Sequence, residues 1–198
     1  MQLMFKTISL VALVFWFCGF VAALPPTSSY NYTFDELRPQ PGSQGSFRQP
    51  YFRFKIFFRK NTSITEKFLH SHWKTVHADL TISDPDAGVR LLRYTQFHQD
   101  EEHRKMIQPL IHATHGRLAV SPYDGVAEFL TKDYGTFEKF LMQIFINPVM
   151  VADQQSFADD STAMHVMAGY DNLIFGDAID ALNGANGILP SDPRLVHT

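Results

Sequence analysis

The stretch YFRFKIFFRKNTSITEKFLHSHWKTVHADL, residues 51–80, sets a strand directly against a helix, and both periods can be read from it. YFRFKIFF, residues 51–58, is aromatic and alternates with Arg53 and Lys55, which is the period-two pattern of a strand. Phe52, Phe54, Ile56 and Phe58 form one face; Tyr51, Arg53, Lys55 and Phe57 form the other, so neither face is cleanly polar. Ser63-Ile64-Thr65-Glu66 has the spacing of a capping box, with Ser63 accepting from the third helical N–H and Glu66 reaching back to the cap. Leu69, Trp73, Val76 and Leu80 follow at helical spacing and predict an amphipathic helix. Asp84-Pro85-Asp86-Ala87-Gly88 predicts the turn that ends it.

The rest of the chain repeats this order. VRLLRYTQFH, residues 89–98, is a second strand, and DGVAEFL, residues 124–130, a third. Between them, residues 99–122 are charged and rich in histidine without a regular period, which predicts an excursion over the surface. Phe137, Phe140, Leu141 and Ile144 predict a second helix over Gly135–Gln143, stopped at Asn147-Pro148. A short helical segment is expected around Gln154–Phe157, and MHVMAGYDNLIF, residues 164–175, is the fourth strand. The order β-α-β, β-α-β is that of an α+β fold, the ferredoxin-like split β-α-β sandwich, with four antiparallel strands and both helices on one face. Its second face is also apolar, and a large exposed apolar patch marks an interface. Two such sheets packed face to face would give a homodimer, a dimeric α/β barrel with a central cavity.

Composition sets the bounds. A chain of 198 residues suits one domain with tails, and 45 % apolar residues with 18 phenylalanines supply a core. The net charge of −3 provides no basic footprint, so no nucleic acid is expected as a partner. At the start, one lysine in MQLMFK precedes the continuous apolar run of residues 7–23, and LPPTSS breaks it. Val21 and Ala23 are small residues at −3 and −1 of a cut after Ala23, so residues 1–23 have the layout of a signal peptide and point to the secretory pathway. An uncleaved N-terminal membrane anchor is the alternative, since the run is at the lower limit of a span. Asn31-Tyr32-Thr33 and Asn61-Thr62-Ser63 are glycosylation sequons that fit this route. Cys18 is the only cysteine and lies inside the run, so a cleaved chain has no disulfide and no thiol nucleophile. Residues 24–49 read as a flexible linker and 177–198 as a polar tail.

Several side chains could carry chemistry. His77 lies one turn beyond Trp73 and is a candidate general base or acid, because imidazole titrates near working pH. A buried histidine satisfied by a carbonyl, or one favoured by a helix C-terminus, is the structural alternative. His70, His72 and His77 are two, five and seven residues apart, so no pair has chelating spacing, and no metal is expected there. Tyr94, Gln96 and His98 alternate onto one face of the second strand, where they would form a polar ladder able to hold phenolic oxygens. Asp124 and Glu128 share a face of the third strand; if it lines the cavity, a carboxylate could orient His77, and otherwise Asp124 serves a turn and Glu128 is a solvated charge. His103, His112 and His115 sit in the excursion, as a solvated loop or a lid. No glycine-rich phosphate loop, G-x-S-x-G elbow or dinucleotide fingerprint is present, which disfavours phosphate chemistry, serine hydrolysis and nicotinamide binding.

These residues resemble a known family. FRFKIFFRKNTSITEKFLHSHWKTVHADL resembles the opening of EthD-type dimeric α/β-barrel proteins, where a helix carries a tryptophan and, four residues later, a histidine, here Trp73 and His77. LLRYTQFHQ, YDGVAEFL, NPVMVADQQSFAD and HVMAGYDNLIF resemble later strands and the last helix of the fungal branch, so an EthD-like domain spans 50–176. That branch includes cofactor-free dehydratases and decarboxylases of polyketide pathways. The resemblance implies a lyase acting on an aromatic or pre-aromatic polyketide-type intermediate. His77, Asp124, Tyr94 and His98 would be catalytic, and Trp73, Gln96 and Glu128 would contact the substrate. Cofactor-independent oxygenation of a phenol or anthrone, and non-catalytic binding of small aromatic compounds, are the alternatives.

Overall fold

Strand β1 (Phe52–Phe58) is an inner strand of a four-stranded sheet, paired antiparallel with β3 (Gly125–Thr131) on one side and β4 (His165–Gly169) on the other. β2 (Leu91–His98) pairs antiparallel with β3, giving the order β2-β3-β1-β4 of a split β-α-β sheet. In this computed structural model the described residues are 30–43 and 45–195. The expected leader with its cut after Ala23, Cys18, and residues 24–29 and 196–198 lie outside them. Residues 30–33 belong to a separate unit, in which the rings of Tyr30 and Tyr32 meet edge to face at 5.1 Å.

Register decides what each face does. Phe54 pairs with Phe129, Ile56 with Ala127 and Phe58 with Gly125, so β1 and β3 turn these side chains to the same side. That side carries the core, where Phe58 and Phe129 pack with Leu69, Trp73, Phe137, Phe140 and Phe157. Phe54 and Phe137 stack with centroids 4.2 Å apart. The opposite side sets Lys55 across from Glu128, with Nζ 2.9 Å from a carboxylate oxygen. Arg53 bonds Glu128 as well, and its Nε donates to Asp171 at 2.8 Å.

The first helical run comprises α1 (Glu66–His72), a turn of π-helix (Trp73–His77) and α2 (Ala78–Ile82). Thr65, not Ser63, is its N-cap, accepting from the Phe68 N–H at 3.1 Å. Ser63 is unavailable because its N–H and hydroxyl both donate to Asn61 Oδ1, at 2.9 and 2.8 Å. The π-turn also corrects the buried face. Its i→i+5 bonding widens the turn, so residues four apart stay in line along it. Leu69, Trp73, His77 and Thr81 therefore look inward, whereas Val76, expected in the core, is 47 % exposed.

Three short helices stand where the sequence predicts none, and the first takes Val89 and Arg90 from the start of the expected second strand. α3 (Ala87–Arg90) follows the Asp84–Asp86 turn, and α4 (Glu101–Met106) and α5 (Gln108–Ala113) occupy the histidine-rich excursion. Asp100 caps α4 by accepting from the His103 N–H at 2.9 Å. Neither α4 nor α5 buries a residue, so no apolar stripe advertises them. α6 (Tyr134–Ile146) starts from an Asp133 cap and outlasts its expected end. Asn147 closes α6 and caps α7 (Pro148–Phe157), accepting from the Val149 and Met150 N–H groups; α7 is much longer than the four residues expected. β4 is shorter than expected, because beyond Gly169 the chain turns to other partners. Gln49 N–H donates to Asp171 O, Leu173 N–H to Phe47 O and Ile188 N–H to Ile174 O. The end of the expected linker and the polar tail are thus folded against each other, with Gln49 buried between them.

Candidate active site

Between the sheet and the helices lies a narrow cleft, partly open to solvent, with a cavity volume of about 50 Å³. Phe58, Trp73, Phe129, Phe140 and Phe157 give it aromatic walls, and His77, Thr81, Tyr94 and Gln154 are its polar lining. Gly125 lets those walls close. A Cβ there would stand 2.6 Å from two Phe58 ring carbons and 2.8 Å from a Trp73 ring carbon. Its absence lets the two rings meet edge to face at 4.8 Å.

His77 reaches the cleft from the end of the π-turn. Its Nδ1 lies 2.8 Å from Asp153 Oδ2, and the other carboxylate oxygen lies 2.7 Å from His72 Nε2. The Asp153 side chain is only 10 % exposed, and the two imidazoles satisfy both of its oxygens. Burial pushes the His77 pKa below its ordinary value, outweighing the attraction of Asp153. At neutral pH His77 is therefore neutral, with Nδ1–H donating to Asp153 and the lone pair left on Nε2. That nitrogen makes no hydrogen bond to a described residue. A carboxylate that fixes the tautomer of a cavity histidine is the arrangement a general base requires.

Sequence reading missed Asp153. The signal was present: it lies on the same face of α7 as the buried Met150 and Phe157, three residues after one and four before the other. A carboxylate within such a stripe needs a partner. The acids expected to orient His77 do other work. Asp124 precedes β3, where one oxygen accepts from the Lys60 N–H at 2.7 Å and the other pairs with Arg104 at 2.6 Å. Glu128 points to the opposite side of the sheet, with Arg53 and Lys55. Both follow from the strand period, which gives the cleft side to Gly125, Ala127 and Phe129.

The ladder on β2 is divided between the cleft and the space behind it. Tyr94 lines the cleft, its ring stacked on Phe129 at 4.8 Å, and its hydroxyl accepts from Gln96 Nε2 at 2.7 Å. Burial raises the Tyr94 pKa, so the phenol stays protonated. Gln96 and His98 do not line the cleft. Gln96 Nε2 also donates to the Trp73 carbonyl at 2.9 Å, and His98 Nε2 lies 3.2 Å from Gln96 Oε1. Burial, then the charges of His70 and Lys74, lower the His98 pKa to about 4. Trp73 forms wall, as a substrate-contacting residue must. His103 pairs with Asp100 on the surface, and His112 and His115 are exposed. Asn31 is exposed and Asn61 part-buried in its turn with Ser63.

The fold and the cleft together define an α+β domain with an aromatic pocket carrying a carboxylate-bound histidine and a neutral tyrosine. The profile of the EthD domain matches residues 61–161, just over half of the chain, and the chain belongs to that family. Among solved structures, an ethyl tert-butyl ether D (EthD) family protein from Bacillus halodurans is similar at 14 % identity and a TM-score of 0.39, covering 61 % of this chain and 98 % of its own. A dimeric ferredoxin-like protein of unknown function from Thermobifida fusca is similar at 14 % identity and a TM-score of 0.38, covering 63 % and 92 %. No curated protein matches the chain.

Proposed function

We propose that this protein is a cofactor-free lyase that dehydrates or decarboxylates an aromatic or pre-aromatic polyketide-type ketone. The observation that carries the reading is His77, part-buried in an aromatic cleft with Nδ1 on Asp153 and Nε2 free of any hydrogen bond to a described residue. In dehydration, Nε2 takes the proton from a carbon next to the carbonyl, and the C–H pair moves to the carbonyl oxygen as an enolate. The Tyr94 hydroxyl donates to that oxygen. The enolate then re-forms the carbonyl and expels the β-hydroxyl, which leaves as water with the proton carried by His77. Aromatisation supplies much of the driving force, so the hundredfold or more that a positioned base contributes is enough.

A second copy would cover the outer sheet side, where Phe97 and Met167 are each 61 % exposed. The leader would send the chain into the secretory pathway, with glycans on Asn31 and Asn61. The test is turnover by purified protein on a panel of hydroxylated bicyclic ketones, followed by mass spectrometry. Loss of water or carbon dioxide that disappears in His77→Ala supports the lyase. Binding without any mass change, indifferent to that substitution, would replace it with a carrier of small aromatic compounds.

A further inference from the structure

Three parts of the cleft come from α7. Asp153 holds His77, and Phe157, four residues on, sets its ring edge to face against the His77 imidazole at 4.9 Å. Gln154 stands three residues before Phe157 on the same face of the helix, and its part-buried side chain lines the cleft with His77. The other polar side chains there already have partners. His77 Nδ1 is on Asp153, the Thr81 hydroxyl donates to the His77 carbonyl at 2.8 Å, and the Tyr94 oxygen accepts from Gln96. The Gln154 carboxamide has none: no described residue hydrogen-bonds its Nε2 or its Oε1.

What the partnered groups leave open is mainly acceptor capacity, above all the lone pair on His77 Nε2. The Trp73 and Thr81 side chains both lie against the Tyr94 hydroxyl, and Thr81, with its own hydrogen given away, shares the one hydrogen that Tyr94 has. Gln154 Nε2 brings two uncommitted hydrogens to this cleft, between aromatic walls. A donor left without a protein partner in such a setting is matched by an acceptor on the ligand. The acceptor in the proposed reaction is the carbonyl oxygen, which gains negative charge as His77 removes the neighbouring proton. An amide N–H already in place is a donor of the oxyanion-hole kind. We infer that Gln154 is a further catalytic residue, whose Nε2–H group holds the ligand's carbonyl oxygen and stabilises the enolate without giving up a proton. Its catalytic part rests on the proposed reaction, whereas its hold on a carbonyl requires only that the cleft is the ligand site. One helix thereby supplies the carboxylate that orients the base, the ring that packs on it and the donor for the oxygen.

The probes are acetophenone and α-methylstyrene, which share a shape and differ in carrying C=O or C=CH₂. Calorimetric titration of the full chain with each reads the hold on the oxygen, and proton NMR in D₂O reads exchange of the acetophenone methyl hydrogens. Wild type is expected to bind the ketone about three- to tenfold more tightly, the worth of one neutral hydrogen bond. Gln154→Leu is expected to cut that preference below about twofold while α-methylstyrene binding stays unchanged. It should also slow exchange about a hundredfold, as loss of an oxyanion donor does. Gln154→Glu keeps the length of the side chain and covers a leucine variant that does not fold. Its exchange rate relative to wild type is expected to rise as the pH falls toward about 4.3, where a glutamic acid regains a hydrogen to donate. A merely structural role would leave that ratio flat. A preference retained in Gln154→Leu, equal weakening of both probes, no preference in wild type, or no saturable binding of either probe would each overturn the inference. A preference lost in Gln154→Leu with no exchange by wild type would leave the hold on the carbonyl standing and remove the proposed reaction. Exchange that depends on His77 and not on Gln154 would do the reverse.

Discussion

Removing the carboxylate of Asp153 is the perturbation whose size the structure sets most directly. Its two oxygens accept from His72 and His77 at 2.7 and 2.8 Å, and those imidazoles are only 17 % and 13 % exposed. Asp153→Ala leaves two N–H donors with little access to water. Each unsatisfied donor costs about 1–3 kcal/mol, and partial hydration lowers the sum to roughly 2–4 kcal/mol. Asp153→Asn keeps the volume but offers one acceptor and one donor. One imidazole keeps its bond, and the other must face the amide nitrogen with a lone pair, which moves its proton to the far nitrogen. If that imidazole is His77, Nε2 becomes protonated and the base is lost. Urea unfolding measures the first effect, and nitrogen-15 NMR of the histidines, which separates the two tautomers, measures the second. An Asp153→Ala chain within about 0.5 kcal/mol of wild type, or histidine spectra unchanged in Asp153→Asn, would refute the reasoning.

Other outcomes follow from the same geometry. Gly125→Ala must push Phe58 and Trp73 apart, and overpacking of this kind costs about 1–3 kcal/mol in urea unfolding, with a matching loss of ligand affinity. Thr65→Ala removes the helix cap and is expected to cost about 0.5–2 kcal/mol, and Ser63→Ala distinctly less, by the same assay. His98 has its pKa lowered from 6.5 to about 4, so the folded chain refuses a proton that the unfolded chain accepts. Above pH 6.5 this has no effect; stability falls as pH drops from 6.5 toward 4 and levels off below. The full gap corresponds to about 3 kcal/mol, and solvent screening of this part-buried ring leaves roughly half. His98→Gln should flatten that pH dependence; an unchanged slope would contradict the burial of a neutral imidazole.

The parts of the fold visible in the sequence are those with a repeating apolar signal. β1 with its aromatic alternation, Trp73 on the inward side of the first helical run, and Tyr94 turned to the cleft all follow from periods of two or four. The π-turn does not, because a change from i→i+4 to i→i+5 bonding leaves no compositional mark, and it turns Val76 out of the core. α4 and α5 were hidden because they bury nothing. The apolar pattern marks only the end of α7, because Asp153 interrupts the stripe made by Met150 and Phe157. The pairing of Asp153 with His77 spans 76 residues and depends on how α7 packs against the π-turn, which no local pattern encodes. Asp124 falls just before β3, and Glu128 lies on the side of β3 away from the helices, a choice of side that tertiary packing decides and the period of two does not.

In the proposed reaction His77, held by Asp153, removes a proton beside a carbonyl. The most direct measurement is hydrogen–deuterium exchange into 2-tetralone, a bicyclic ketone with no leaving group, followed by proton NMR in D₂O with catalytic amounts of protein. Exchange at the carbon next to the carbonyl is expected well above the buffer rate, reduced at least about a hundredfold in His77→Ala. Exchange at the buffer rate in wild type, or at the same rate in the two proteins, would contradict it.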